Sequence, residues 1–115
     1  MKIVVTPHAF SRYKVRNCAK EIIEETVIVP FQIVKRLNLS YLSNNKASRM
    51  GFFYAFNPKT GWFFVLRKEK DRFTREDVIK VITNFPIEDE RKKELIRGAP
   101  NWKKFKEVFP FCLVP

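Results

Sequence analysis

The chain reads as an α+β domain, with N-terminal helices packed on a three- to four-stranded antiparallel sheet and a C-terminal helix and tail. Three observations predict this. Helix-start signals and helical charge order fill the first third of the chain. Two aromatic, β-branched runs then flank a turn containing Pro and Gly. A segment that opens on acids and closes on bases follows them. The 115 residues suit a single domain, residues 1–98 as its main body and 99–115 as an aromatic, basic tail.

After a short apolar run, Ile3–Val5, Thr6 suits an N-cap and Pro7 the first helical position, so a helix is expected to about Asn17. A second helical stretch runs from Ala19 toward Leu37, with Glu21, Glu24 and Glu25 early and Lys35 and Arg36 late. Pro30 must kink it or split it into two helices meeting near Val29. Asn38 to Ser48 is polar and reads as a loop. Met50–Phe56 and Trp62–Leu66 around Asn57-Pro58-Lys59-Thr60-Gly61 form a hairpin. Its strands are apolar on both faces, which places them mid-sheet. The charged stretch from Lys70 to Asp77 connects to a third strand, Val78–Phe85. There Ile79, Val81, Thr83 and Phe85 alternate with Lys80 and Asn84 on a wetter face. Pro86 opens a last helix that Gly98 and Pro100 stop. Beyond it Trp102, Phe105, Val108 and Phe109 recur at helical spacing opposite Lys103, Lys104 and Lys106. They serve either as core or as an amphipathic arm for a partner.

Three Gly leave no material for a phosphate-binding Gly loop, and two Cys with one His are too few for a structural zinc site, so no metal or other cofactor is expected. The start is too short in apolar length for a signal peptide, and the runs Val27–Val34 and Trp62–Leu66 are far short of a membrane span. A cytoplasmic protein with reduced thiols and no membrane partner is the expectation. Lys and Arg number 23 against 12 Asp and Glu, a formal charge of +11. Residues 1–68 carry twelve bases against Glu21, Glu24 and Glu25, and from Thr26 to Lys68 there is no acid. So one-sided a surface attracts polyanions, and RNA or another nucleic acid is the expected partner.

The single histidine is the place to look for chemistry. His8 and Arg12 are four apart and share a helix face; Arg16 lies one turn further and Lys14 at the flank, while Ala9, Phe10 and Tyr13 would bury. A neutral imidazole there can take the proton of a ribose 2′-hydroxyl while a guanidinium neutralises the phosphoryl oxygens. An ordinary solvated polar face would show the same pair. On the sheet, Arg49, Arg67 and Lys68 are candidate phosphate contacts or plain solvated strand ends. Tyr54 is a base-stacking candidate or, between Phe52 and Phe56, core. Trp62 reads as packing.

The run Thr6-Pro7-His8-Ala9-Phe10-Ser11-Arg12-Tyr13-Lys14-Val15-Arg16 resembles the N-terminal helix of small microbial endoribonucleases of the RelE-like and RegB-like kind, toxin or phage type. Over about residues 5–85 the likeness is one of element order, and only the His8/Arg12 pair is motif-like. It implies metal-independent endoribonuclease activity with His8 as base and Arg12 stabilising phosphoryl charge, and a ribosomal component or an antitoxin as the kind of protein partner. With no second histidine, the leaving oxygen needs a proton from Lys14, Tyr54 or water. The alternative is a basic accessory protein that binds nucleic acid or a host complex without catalysis.

Overall fold

The computed structural model, which describes residues 1–12, 18–39 and 50–114, sets its first and last strands side by side. β1 (Lys2–Val5) runs parallel to β5 (Asp77–Pro86), Ile3 opposite Ile79 and Val5 opposite Val81. β5 pairs antiparallel with β4 (Trp62–Lys70), which pairs with β3 (Phe52–Phe56), which pairs with the two-residue β2 (Val27–Ile28). The sheet is therefore mixed and five-stranded, in the order β1-β5-β4-β3-β2, where three or four antiparallel strands were expected. The hairpin is internal, as its apolar faces require.

The helices divide between the faces. α1 (Pro7–Arg12) and α2 (Cys18–Glu25) cover one, closing over Ile3, Ala9, Ile22, Phe64 and Ile79. α3 (Phe31–Arg36) and α4 (Asp89–Gly98) cover the other, over Val34, Phe56, Phe63, Val65 and Leu95. The expected stacking of all N-terminal helices on one face is thus corrected. The cause is β2. Thr26-Val27-Ile28-Val29 is a β-branched run that leaves the helix and pairs with β3, and Pro30 then caps α3 beyond the sheet edge. The expected helix end near Asn17 and the polar residues 40–48 lie outside the described residues.

A bulge resets β5. Val81 lies opposite Leu66 and Thr83 opposite Val65, leaving Ile82 as the extra residue. Ile79, Val81 and Asn84 consequently share the α1 face, while Ile82 and Phe85 join the other core. Asn84, expected on a wet face, is fully buried and donates to the Ala9 carbonyl at 3.1 Å. At the hairpin turn Gly61 has φ +80, a conformation open to glycine without strain, and its N–H closes onto the Asn57 carbonyl at 2.8 Å. The Asn57 side chain donates to Glu21 Oε1 at 2.8 Å, so Glu21 ties the turn to α2 from a buried position.

Residues 101–114 close the fold. Lys104 bridges Val27 at the outer edge of β2, and Leu113 bridges Lys2 at the outer edge of β1. Between them α5 (Phe105–Val108) packs against α2, with Phe105 fully buried and Phe109 against Phe53 at 5.3 Å between ring centres. Each edge of the sheet is thereby met by a short bridge, which shortens the unpaired backbone that invites other chains.

Candidate functional site

α1 carries the candidate chemistry, and hydrogen bonds through Thr6 and Ala9 cap it and fix it to the sheet. The Thr6 hydroxyl accepts the Ala9 N–H at 3.3 Å as an N-cap and donates to the Val81 carbonyl at 2.8 Å. The Thr6 N–H reaches the same carbonyl at 3.3 Å, and Asn84 holds the Ala9 carbonyl. With Ala9 pinned inward, His8 and Arg12 point to solvent. Arg12 Nε–H donates to His8 Nε2 at 3.3 Å. That bond uses one guanidinium N–H, and among the described residues no other side chain pairs with Arg12. The short helix buries less than expected: Phe10 is 61% exposed, because Ala9 alone among its described residues faces the core.

Of the remaining sequence candidates, those that are described do not gather around this pair. Lys14, Arg16 and Arg49 lie outside the described residues, as does Tyr13. Tyr54 is 1% exposed and stacked on Phe63 at 5.7 Å, inside the core between the sheet and α3. A ring sealed there cannot stack a base, so Tyr54 leaves the binding set, and its buried position takes it out of proton donation to a leaving group as well. Arg67 projects to the face opposite α1, its guanidinium over the Phe52 ring at 5.2 Å and its Nε donating to the Met50 carbonyl at 3.1 Å. Glu69 faces it at 3.4 Å. Lys68 lies 3.8 Å from Asp77. Both cations are engaged within the hairpin that bears them. Trp62 packs on the core.

Other chemistry is sparse. Among the described residues no three His, Cys, Asp or Glu side chains gather to hold a metal ion, and no helix is long and apolar enough to cross a membrane. Cys18 and Cys112 are free, buried thiols. Burial, with Glu21 adding to it, pushes the Cys18 thiol up to about 12, and burial raises Cys112 too, so neither is a ready nucleophile.

Phe73 and Phe111 are exposed aromatics outside the sequence candidates, and the first stands on a hairpin. Phe73, at the tip of the β4–β5 hairpin, is 90% exposed. Asp71 Oδ1 accepts the N–H groups of Phe73 at 2.8 Å and Thr74 at 2.9 Å, which hold its carboxyl below the usual range. A lone Phe between Arg72 and Arg75, without apolar neighbours at strand or helix spacing, was the available signal.

The fold and site together define an α+β protein of mixed five-stranded sheet with an exposed His–Arg pair on its first helix. In comparison with known proteins, the chain matches no family model, no curated protein and no solved structure.

Proposed function

We propose that the protein is a metal-independent endoribonuclease in which His8 and Arg12 act on the RNA backbone, as its resemblance to RelE-like and RegB-like enzymes implies. The observation that carries this reading is the hydrogen bond from Arg12 Nε to His8 Nε2 on an exposed helix face. An RNA phosphate would draw the Arg12 guanidinium into charge-assisted hydrogen bonds and release the Nε2 lone pair. The freed imidazole then takes the ribose 2′-proton. The 2′-oxygen attacks the adjacent phosphorus, the P–O5′ bond breaks, and the 5′-oxygen leaves with a proton from water or from Lys14. The products are a 2′,3′-cyclic phosphate and a 5′-hydroxyl. The basic first half of the chain supplies long-range attraction for the substrate.

The test is incubation of the purified protein with RNA in the presence of chelator, with mapping of the ends. Scission leaving cyclic phosphate is expected, and His8→Ala should abolish it while RNA affinity stays within about threefold, a change worth under about 1 kcal/mol. Equal cutting by His8→Ala removes the assignment. A second reading, a binding protein without catalysis, is favoured by the burial of Tyr54 and the internal pairing of Arg67 and Lys68, which leave the pair without neighbouring catalytic groups among the described residues. It predicts salt-sensitive binding and no scission.

A further inference from the structure

We infer that the β4–β5 hairpin tip is a second RNA contact, in which Phe73 stacks an unpaired base and Arg72 and Arg75 hold the flanking phosphates. The inference rests on the RNA-binding reading above and adds a place on the molecule remote from His8.

The tip is presented in one shape. Besides the two bonds to its side chain, Asp71 donates its N–H to the Glu76 carbonyl at 2.7 Å and accepts the Arg75 N–H on its own carbonyl at 3.0 Å. Arg75 sits at φ +61, a left-handed position where a long side chain is strained and glycine is not. A flat apolar ring held 90% in water, on a loop ordered by its own backbone, is preorganised to receive another flat surface. Aromatic rings of this kind stack single-stranded bases without reading their sequence.

Charge selects the occupant. Lys70 and Lys68 are 3.6 and 3.8 Å from Asp77, and Lys80 is 2.8 Å from Glu69. Among the described residues Arg72 and Arg75 enter no ion pair. Of the hairpin's acids, Glu69 and Asp77 face those lysines and Asp71 accepts backbone N–H groups, while the exposed Glu76 enters no ion pair among the described residues. Next to Phe73 the two unpaired guanidinium groups, Arg72 and Arg75, outnumber the one unpaired carboxylate, Glu76. Beside the ring lies a depression of about 460 Å³ that continues onto the sheet at Val4 and Val78. Around those two valines the lining is charged, with Glu69, Lys70, Asp71, Arg72 and Lys80, and the exposed ring beside the Arg72 guanidinium suits a base with its phosphate. The tip lies at the start of β5, whereas α1 is anchored at Val81 to Asn84 toward its other end, so one strand of RNA must run some distance to touch both.

The test uses the full chain and a fluorescent, unstructured oligoribonucleotide with 2′-O-methyl groups, so that binding is read without cleavage. Phe73→Ala should weaken binding about tenfold at moderate salt, in line with the loss of one stacked base. Duplex RNA should bind Phe73→Ala and the parent alike. Arg72→Gln with Arg75→Gln should lower the slope of log affinity against log salt by about one to two. Thermal melting of these variants should match the parent, since none of the three side chains is buried. Binding of Phe73→Ala within twofold of the parent overturns the tip contact and leaves the RNA reading standing. Full affinity in Phe73→Leu overturns stacking in favour of a plain apolar contact of the kind a protein partner makes. A parent chain that binds no single-stranded RNA overturns both readings together.

Discussion

The hydroxyl of Thr6 donates to the carbonyl of Val81 across 75 residues of sequence, and this contact helps join the start of the His8 helix to the middle of β5. The same oxygen accepts the Ala9 N–H, so a single atom both begins α1 and aims it. Thr6→Val keeps the shape and removes both bonds. Loss of a cap costs about 1 kcal/mol and loss of a part-buried hydrogen bond about another 1 kcal/mol. Urea unfolding should show a deficit of about 1–2 kcal/mol, with Thr6→Ser close to the parent. If His8 and Arg12 cleave RNA, cleavage should fall in Thr6→Val more than stability alone accounts for, because the helix loses its aim.

Gly98 illustrates a residue read correctly as special for a different reason. Glycine after a helix suggests a left-handed cap, but here φ is −79 and ψ −25, ordinary helical values, and the chain runs on through the 3₁₀ turn Ala99–Asn101. The need for glycine comes from Trp102, whose ring lies where a Cβ would stand. Gly98→Ala would stabilise an open helix by about 0.5–1 kcal/mol. In this site overpacking should reverse the sign to a loss of about 1–3 kcal/mol. A double-mutant cycle with Trp102→Ala decides between the two: the alanine should become neutral or stabilising once the ring is removed.

The thiols give a pH dependence with a defined sign. Cys18 is raised from its usual 9.0 to about 12, chiefly by burial, which favours the protonated form in the folded chain. The stability this contributes is full below the ordinary thiol value and is lost as pH climbs from about 9 toward 12, where the unfolded chain ionises first. Iodoacetamide should leave Cys18 unlabelled in the native protein at neutral pH and still at pH 9.0, and label it rapidly in guanidinium chloride. Fast native labelling, read by mass spectrometry, would show the site to be open.

What local chemistry dictates was legible. Thr6-Pro7 begins a helix because cap and ring act within one turn, and His8 and Arg12 meet because four residues make a turn. Pro30 marked a true break, though the preceding Thr26-Val27-Ile28-Val29 was the better sign and was masked by the acid-to-base order around it. The pairing of β1 with β5 was not legible, since nothing near Ile3 names a partner at Ile79. The bulge at Ile82 likewise moved Asn84 from water to core, a one-residue shift that alternation alone cannot foresee. Tyr54 followed from a premise already in hand: a hairpin apolar on both faces leaves no wet side for a stacking ring. Arg67 and Lys68 were judged without their neighbours, although Glu69 adjoins them and Asp77 lies across the hairpin.

Residues 101–114 separate two kinds of aromatic, and mutation should separate them too. Phe105 is fully buried in the cluster that includes Ile3, Ile22 and Phe64, and its ring lies tilted against Phe109 at 5.0 Å between centres. Phe111, six residues on, is 83% exposed. Phe105→Ala should therefore cost about 3–5 kcal/mol by cavity and transfer terms together. Phe111→Ser, like most exposed substitutions, should move stability by less than about 0.5 kcal/mol. Deleting 101–115 would remove Phe105 and Cys112 from the core and strip both the Lys104 bridge to β2 and the Leu113 bridge to β1. The truncated chain should fail to give a cooperative thermal transition and should aggregate through its uncovered sheet edges. A sharp native-like melt from that truncation would instead make the segment an appendage, and would free its aromatics for the partner-binding arm that the spacing of Trp102, Phe105, Val108 and Phe109 also allows.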